Sequence, residues 1–165
     1  MDREIRAGVL TISDKGSRGL RKDESGEVVV SILEEQGFPV IRKKIVPDDT
    51  RQIADTLVAW ADRDRLSLIV TSGGTGLSPT DVTPQAMKEV IDYEVPGMAE
   101  AMRAASLEKT PHAMISRAMV GVRQACLIIN LPGSHGGARD NLLVVLPALD
   151  HALKKLAGDP SDCAT

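Results

Sequence analysis

Short apolar runs along the chain alternate with longer stretches in which apolar residues recur every three or four positions. Four runs are rich in β-formers: residues 5–12, 40–46, 66–70 and 126–131. The first and last are nearly continuous, the pattern of strands covered on both faces. The second contains Arg42, Lys43 and Lys44 and predicts an edge strand. Between the runs, Val29, Ile32 and Leu33 give residues 26–36 a helical apolar face, with Gly37 as a stop. Ile53, Leu57, Trp60 and Ala61 do the same for 50–63. Thr83-Pro84 predicts a helix start, Thr83 as cap and Pro84 as the first helical residue. Pro96-Gly97 interrupts, and 98–107 resumes with Met98, Ala101, Met102 and Ala105 on one side. A last helix is predicted over 138–156, kinked or divided at Pro147. Residues 115–122 predict a further short strand or hairpin. Strands alternating with helices define the expected class: α/β, three-layer, with a mostly parallel sheet and helices on both faces.

Composition narrows the function. A length of 165 residues suits one domain, expected over 1–157, with 158–165 as a disordered tail. The net charge is −3, no basic block occurs, and Phe38, Trp60 and Tyr93 are the only aromatic residues. Few platforms therefore exist for stacking bases, and nucleic-acid binding is not expected. No apolar run approaches the roughly 18 residues of a membrane span, and the opening Met-Asp-Arg-Glu-Ile-Arg is too charged for a signal peptide. Cys126 and Cys163 match no metal-ligand or redox spacing. The expectation is a cytoplasmic, disulfide-free protein with no membrane partner.

Each apolar run ends in a polar segment. These are Ser13-Asp14-Lys15-Gly16, Pro47-Asp48-Asp49, Thr71-Ser72-Gly73-Gly74-Thr75-Gly76, and Asn130-Leu131-Pro132-Gly133-Ser134. In a parallel sheet such loops share one edge, at the carboxyl ends of the strands, where ligands bind. Thr71 to Gly76 carries the most weight, because three glycines after a strand expose backbone N–H groups in a concavity suited to phosphate. It is neither a Walker loop nor a dinucleotide fingerprint: no Gly-Lys-Ser/Thr follows, and Pro79 stands where the third glycine belongs. Asp81 follows the glycines and Asp48 ends the second run. Carboxylates beside a polyphosphate make sense through a divalent cation, which makes both candidates for Mg²⁺. The plainer reading leaves Asp81 as a turn residue and Asp48 or Asp49 as a helix cap. Ser116-Arg117 could pair a hydroxyl with a guanidinium on an anionic group. His112, His135 and His151 show no metal or dyad spacing. Lys15, Arg18, Arg21 and Lys22, interleaved with acids, read as a solvated loop near the site edge that could fold over a phosphate.

Taken in order and spacing, Thr71 to Gly76, Asp81-Val82-Thr83-Pro84, Pro96-Gly97-Met98, Ser116-Arg117 and Asn130 to Ser134 resemble the molybdopterin adenylyltransferase family of the Mog/MoaB type, which includes the gephyrin G domain. The resemblance spans residues 5–156. It implies a homotrimer and a nucleotidyltransferase of molybdenum cofactor biosynthesis. The terminal phosphate of molybdopterin would attack the α-phosphate of ATP with Mg²⁺, giving adenylyl-molybdopterin and pyrophosphate. A separate molybdenum-insertion protein would take the product. By the same resemblance Asp48 and Asp81 match the functional aspartates, to which metal binding and phosphate orientation are assigned. Gly73, Gly74, Thr75 and Gly76 match the nucleotide and pterin phosphate cradle; Ser13 and Asp14 fit the family's pattern, and with Thr71 they are counted among the cofactor-binding residues. Ser116 matches a pterin-side position, Pro132, Gly133 and Ser134 line the same cleft, and the Asp23-x-Ser25-Gly26 segment fits the pattern. The chain departs from it at Thr80, where many relatives have arginine, and at Gly136, where many have lysine. Each change removes a cation that could meet phosphate; Arg139 and residues 13–24 are the candidates to substitute. The alternative is a non-catalytic molybdopterin-binding or carrier paralogue. A scaffold role like gephyrin's would need further domains.

Overall fold

The computed structural model describes residues 4–163. Strands β1 (Ala7–Ile12), β3 (Leu68–Ser72) and β6 (Cys126–Leu131) are buried at every position, as their unbroken apolar sequences require. Strand β2 (Val40–Val46) exposes Arg42, Lys43 and Lys44 and lies at the sheet edge. The sheet order is β2-β1-β3-β6-β5-β4, where β5 is Val120–Arg123 and β4 is Tyr93–Glu94. The first four are parallel; β5 runs antiparallel to β6, and β4 to β5. The hairpin expected near 115–122 is thus β5–β6, entered from a 3₁₀ turn, Pro111–Ile115.

A single turn, α1 (Asp14–Ser17), follows β1. Alternate strand residues face opposite layers. Val9, Val70 and Ile129 pack with α2 (Glu24–Glu35), α5 (Pro96–Leu107) and α6 (His135–Leu156), through Leu33, Met102 and Leu142. Leu10, Ile69 and Ile128 pack on the other face with α3 (Thr50–Val58) and α4 (Thr83–Val90), through Ile53, Leu57 and Met87. The predicted helix over 50–63 is α3 continued by a π-helical turn, Ala59–Arg63, that buries Trp60. Two helix ends differ from expectation. Thr83 is not the cap of α4 but its first residue, because its hydroxyl is held by the Gly73 carbonyl at 2.9 Å. Helix α6 begins three residues early, capped by Ser134, and is not divided at Pro147. Pro147 and Leu143, whose carbonyl loses its partner, both lie on the exposed side. Gly158, at φ +92°, follows α6, and Asp159 N–H returns to the Lys154 carbonyl. The last two tail residues lie outside the described residues. Among the described residues no helix is long and apolar enough to cross a membrane.

Connectivity places the site. From β1 the chain crosses through α2 to β2 on one side, then returns through α3 to β3 on the other side of β1. The loops after β1 and β3 therefore leave toward opposite layers and part between them. In a doubly wound sheet that parting is the ligand crevice.

Candidate active site

A cleft of about 660 Å³ opens at this switch point. Its floor is Ile12, Ser13, Gly73 and Gly74, its walls Asp48, Asp81, Gly133 and Ser134. The glycines are there because the backbones meet. Gly73 has φ +101°, and a Cβ on it would stand 2.2 Å from the Ile12 carbonyl oxygen. Gly133 packs on Gly73 itself: a Cβ there would reach the Gly73 Cα at 3.2 Å. Gly73 N–H donates to the Leu131 carbonyl at 3.1 Å, and Thr83 N–H to the Gly74 carbonyl at 3.1 Å. Three strand ends and the start of α4 thus form one backbone knot, with no room for side chains between them.

Asp48 leans on that knot and Asp81 on the loop that leaves it. A Cβ on Gly74 would lie 3.4 Å from Asp48 Oδ1, and one on Gly76 would lie 2.8 Å from Asp81 Oδ2. Asp48 is fixed by a reciprocal brace: Asp14 N–H donates to Asp48 Oδ2 at 3.1 Å, and Asp48 N–H to Asp14 Oδ1 at 2.9 Å. Its neighbour Asp49 takes the capping role, accepting from Gln52 N–H at 2.8 Å, so the two acids divide the tasks that sequence left open. Asp81 is also a turn residue, accepting from Ser78 N–H at 3.0 Å. The loop carrying it is clamped by Arg117, whose Nε donates to the Gly76 carbonyl at 2.8 Å and whose Nη2 donates to the Asp81 carbonyl at 2.7 Å.

Burial raises the Asp48 carboxyl above its ordinary pKa; the Asp14 N–H opposes this, and the charges of Asp14 and Asp81 add to it. A raised carboxylate pKa costs the fold stability once the group is charged. The cost is complete above the raised value and vanishes as pH falls below the unfolded value. Asp48→Asn keeps an acceptor for Asp14 N–H. It should raise Tm at pH 7, on the order of 1–3 °C, and the gain should shrink on acidification. Thermal denaturation of both proteins at pH 7 and pH 4 checks the sign.

The structure brings Ser13, Asp48, Gly73, Gly74, Asp81, Gly133 and Ser134 to the cleft. It does not bring all the residues predicted. Thr71 is wholly buried in β3, where its Oγ1 accepts from Asn130 Nδ2 at 3.0 Å; it is a core residue, not a cradle residue. Asp14 acts through its brace. The carbonyls of Thr75 and Gly76 are taken by Arg117, so both shape the loop without lining the cleft. Pro132 sits beneath Gly137 rather than in the cleft. Ser116 lines a separate depression of about 330 Å³ with Lys88, Arg103 and Arg117. The Arg117 guanidinium is not free for an anion, being committed to Gly76, Asp81 and Gln85. Arg139 pairs with Asp140 and stays outside the cleft.

Sequence reading missed Thr11, Ser72, Glu24 and His135 as lining residues. Thr11 holds Asp23 by a 2.8 Å hydrogen bond while Asp23 caps α2, and Ser72 Oγ meets Ser25 Oγ at 3.2 Å. The available signal was a hydroxyl near the end of each of two apolar runs, Thr11 and Ser72, which the strand register sets side by side, with the polar Asp23-x-Ser25 segment to receive them. Among the described residues no group of three or more His, Cys, Asp or Glu side chains is arranged to hold a metal. Two carboxylates beside a glycine-rich turn nonetheless fit Mg²⁺, which takes one or two carboxylates and completes its shell with phosphate oxygens and water.

Fold and cleft define an α/β protein with a carboxylate-flanked, glycine-floored cleft at the switch point of a parallel sheet. Residues 8–151 match the family model described as a probable molybdopterin binding domain, and the chain belongs to that family. It is 37% identical over 157 residues to a molybdopterin adenylyltransferase of Helicobacter pylori, covering 94% of this chain and 89% of the relative. Gephyrin of Dictyostelium discoideum is 40% identical over 163 residues; that match takes in 93% of this chain and only 23% of gephyrin, so the chain spans about a quarter of it. The molybdopterin biosynthesis enzyme MoaB of Thermus thermophilus superposes with a TM-score of 0.89 at 49% identity, over 96% of this chain and 99% of that one.

Proposed function

We propose that this chain is a molybdopterin adenylyltransferase of molybdenum cofactor biosynthesis. It transfers AMP from ATP to the terminal phosphate of molybdopterin. A phosphate oxygen of the pterin bonds to the α-phosphorus as the bridge to the β-phosphate breaks, and pyrophosphate leaves. The observation that carries this reading is the placement of Asp48 on the glycine knot and Asp81 on the loop that leaves it, in a chain related over nearly its full length to proteins named for that activity. The reacting groups are phosphates, so no protein nucleophile is needed and the task is positioning and charge neutralisation. The Gly74 N–H receives a phosphate oxygen, Gly73 N–H being held by the Leu131 carbonyl; the Asp14 brace fixes Asp48, and the Arg117 clamp fixes Asp81. Asp48 and Asp81 would hold Mg²⁺, which when bound neutralises the polyphosphate. The adenylylated pterin then passes to a molybdenum-insertion protein, in the cytoplasm.

The proposal includes a homotrimer. Leu77, Met114 and Ile115 are 63%, 69% and 51% exposed, apolar surface of the kind a partner copy covers. A monomer by light scattering would contradict this. The second reading, a binding or carrier paralogue, draws on the absence of a cation at Thr80 and Gly136, both exposed. Incubation with molybdopterin, Mg²⁺ and ATP labelled at the α-phosphate separates the two. Label on the pterin supports the enzyme; tight pterin binding without label supports the carrier.

A further inference from the structure

The charges around the cleft do not match a polyphosphate ligand until one residue is counted. Asp23, Glu24, Asp48 and Asp81 line it, against the cations Arg21 and Lys22. Lys22 Nζ lies 3.5 Å from Glu27 Oε2 and is partly answered by it. Other arginines near the phosphate loop have partners: Arg117 holds carbonyls, Arg103 donates to the Ala118 carbonyl at 2.8 Å, and Arg139 pairs with Asp140. The Arg21 side chain, exposed at the cleft edge, has no hydrogen bond or ion pair among the described residues.

Its backbone is held on both sides. Leu20 N–H donates to the Lys15 carbonyl at 2.9 Å, and Asp23, two residues on, is tied to Thr11 and to the start of α2. The free guanidinium is therefore presented from an anchored loop, in a cleft that it shares with Asp48 and Asp81. A planar fork of donors suits phosphate oxygens bidentately, which a lysine cannot match.

We propose that Arg21 is a phosphate-binding residue of this cleft, donating to the oligophosphate of the nucleotide and offsetting the carboxylates around it. The proposal rests on the nucleotidyltransferase reading and adds a substrate contact to it. Lys22 contributes to the field; the specific contact is Arg21.

The test is calorimetric titration of the full chain with inorganic pyrophosphate and Mg²⁺, for wild type, Arg21→Gln, Arg21→Lys and Arg18→Gln. Arg18 belongs to the same exposed loop but does not line the cleft, and its loss changes net charge equally. Arg21→Gln should raise Kd about tenfold, Arg21→Lys should recover part of that, and Arg18→Gln should stay within about twofold. Equal shifts for Arg18→Gln and Arg21→Gln would reduce Arg21 to a member of a diffuse field and overturn the proposal. An unchanged Kd in Arg21→Gln, or no pyrophosphate binding by the wild type, overturns it as well. AMP transfer is scored separately. Arg21-dependent pyrophosphate binding without transfer would remove the adenylyltransferase reading and leave the contact standing. Transfer unaltered in Arg21→Gln, with unaltered binding, would remove only the contact.

Discussion

Asp81→Asn is expected to lower AMP transfer about 100- to 1000-fold while leaving the fold intact. The amide keeps an oxygen to accept from Ser78 N–H, and Arg117 still grips the carbonyls of residues 76 and 81, so the turn survives. What disappears is a negative charge beside the glycine loop, and with it half of the carboxylate pair proposed to hold Mg²⁺. Two further readouts follow. Asp48 loses one of the charges that raise its pKa, so the pH at which its titration is felt should fall. Thermal stability should match the wild type or exceed it slightly. A variant that keeps its turnover would show that Asp81 serves only its turn.

The largest structural effect is expected for Gly73→Ala. Its φ of +101° is a region that residues with a Cβ rarely adopt, and the new methyl would press on the Ile12 carbonyl oxygen from 2.2 Å. Backbone cannot swing aside as a side chain can, so the β1 and β3 loops must separate. The cost should be about 3–5 kcal/mol, a fall in Tm on the order of 10 °C, with the cleft lost as well. Gly158→Ala is the comparison. Gly158 shares a positive φ, +92°, but nothing lies within 4 Å of its Cβ position, so only the conformational cost of about 1–2 kcal/mol remains. The difference between the two melting temperatures measures the close approach at the knot. Equal losses would mean that strain in φ, not contact, governs Gly73.

What could be read in the sequence follows from what each pattern physically encodes. Strands covered on both faces need unbroken apolar runs, so β1, β3 and β6 were legible, and the basic β2 marked itself as an edge. The glycine knot was legible because backbone contact excludes side chains. The same logic fails inside a strand. Thr71 and Ser72 are adjacent hydroxyls, yet Ser72 lines the cleft and Thr71 is bonded to Asn130 in the core. Only the register against β6, which sets Thr71 opposite Asn130, explains the bond that keeps Thr71 there. The place of Ser116 was not legible for a related reason: sequence cannot say that Arg117 beside it turns to clamp the glycine loop, with Ser116 lining a different depression. Arg21 and Lys22 read as a solvated loop near the site edge because their neighbours in sequence are charged; both are exposed, and both line the cleft that Gly74 and Asp81 also line.

The most direct test follows the α-phosphate. The pure chain is incubated anaerobically with molybdopterin, Mg²⁺ and α-labelled ATP, beside Asp81→Asn. Label on the pterin in the wild type alone, with release of pyrophosphate, is the result expected of a cleft that aligns two phosphates on the Gly73–Gly74 knot. Molybdopterin bound tightly by both proteins, with no label transferred by either, would contradict it and leave a carrier.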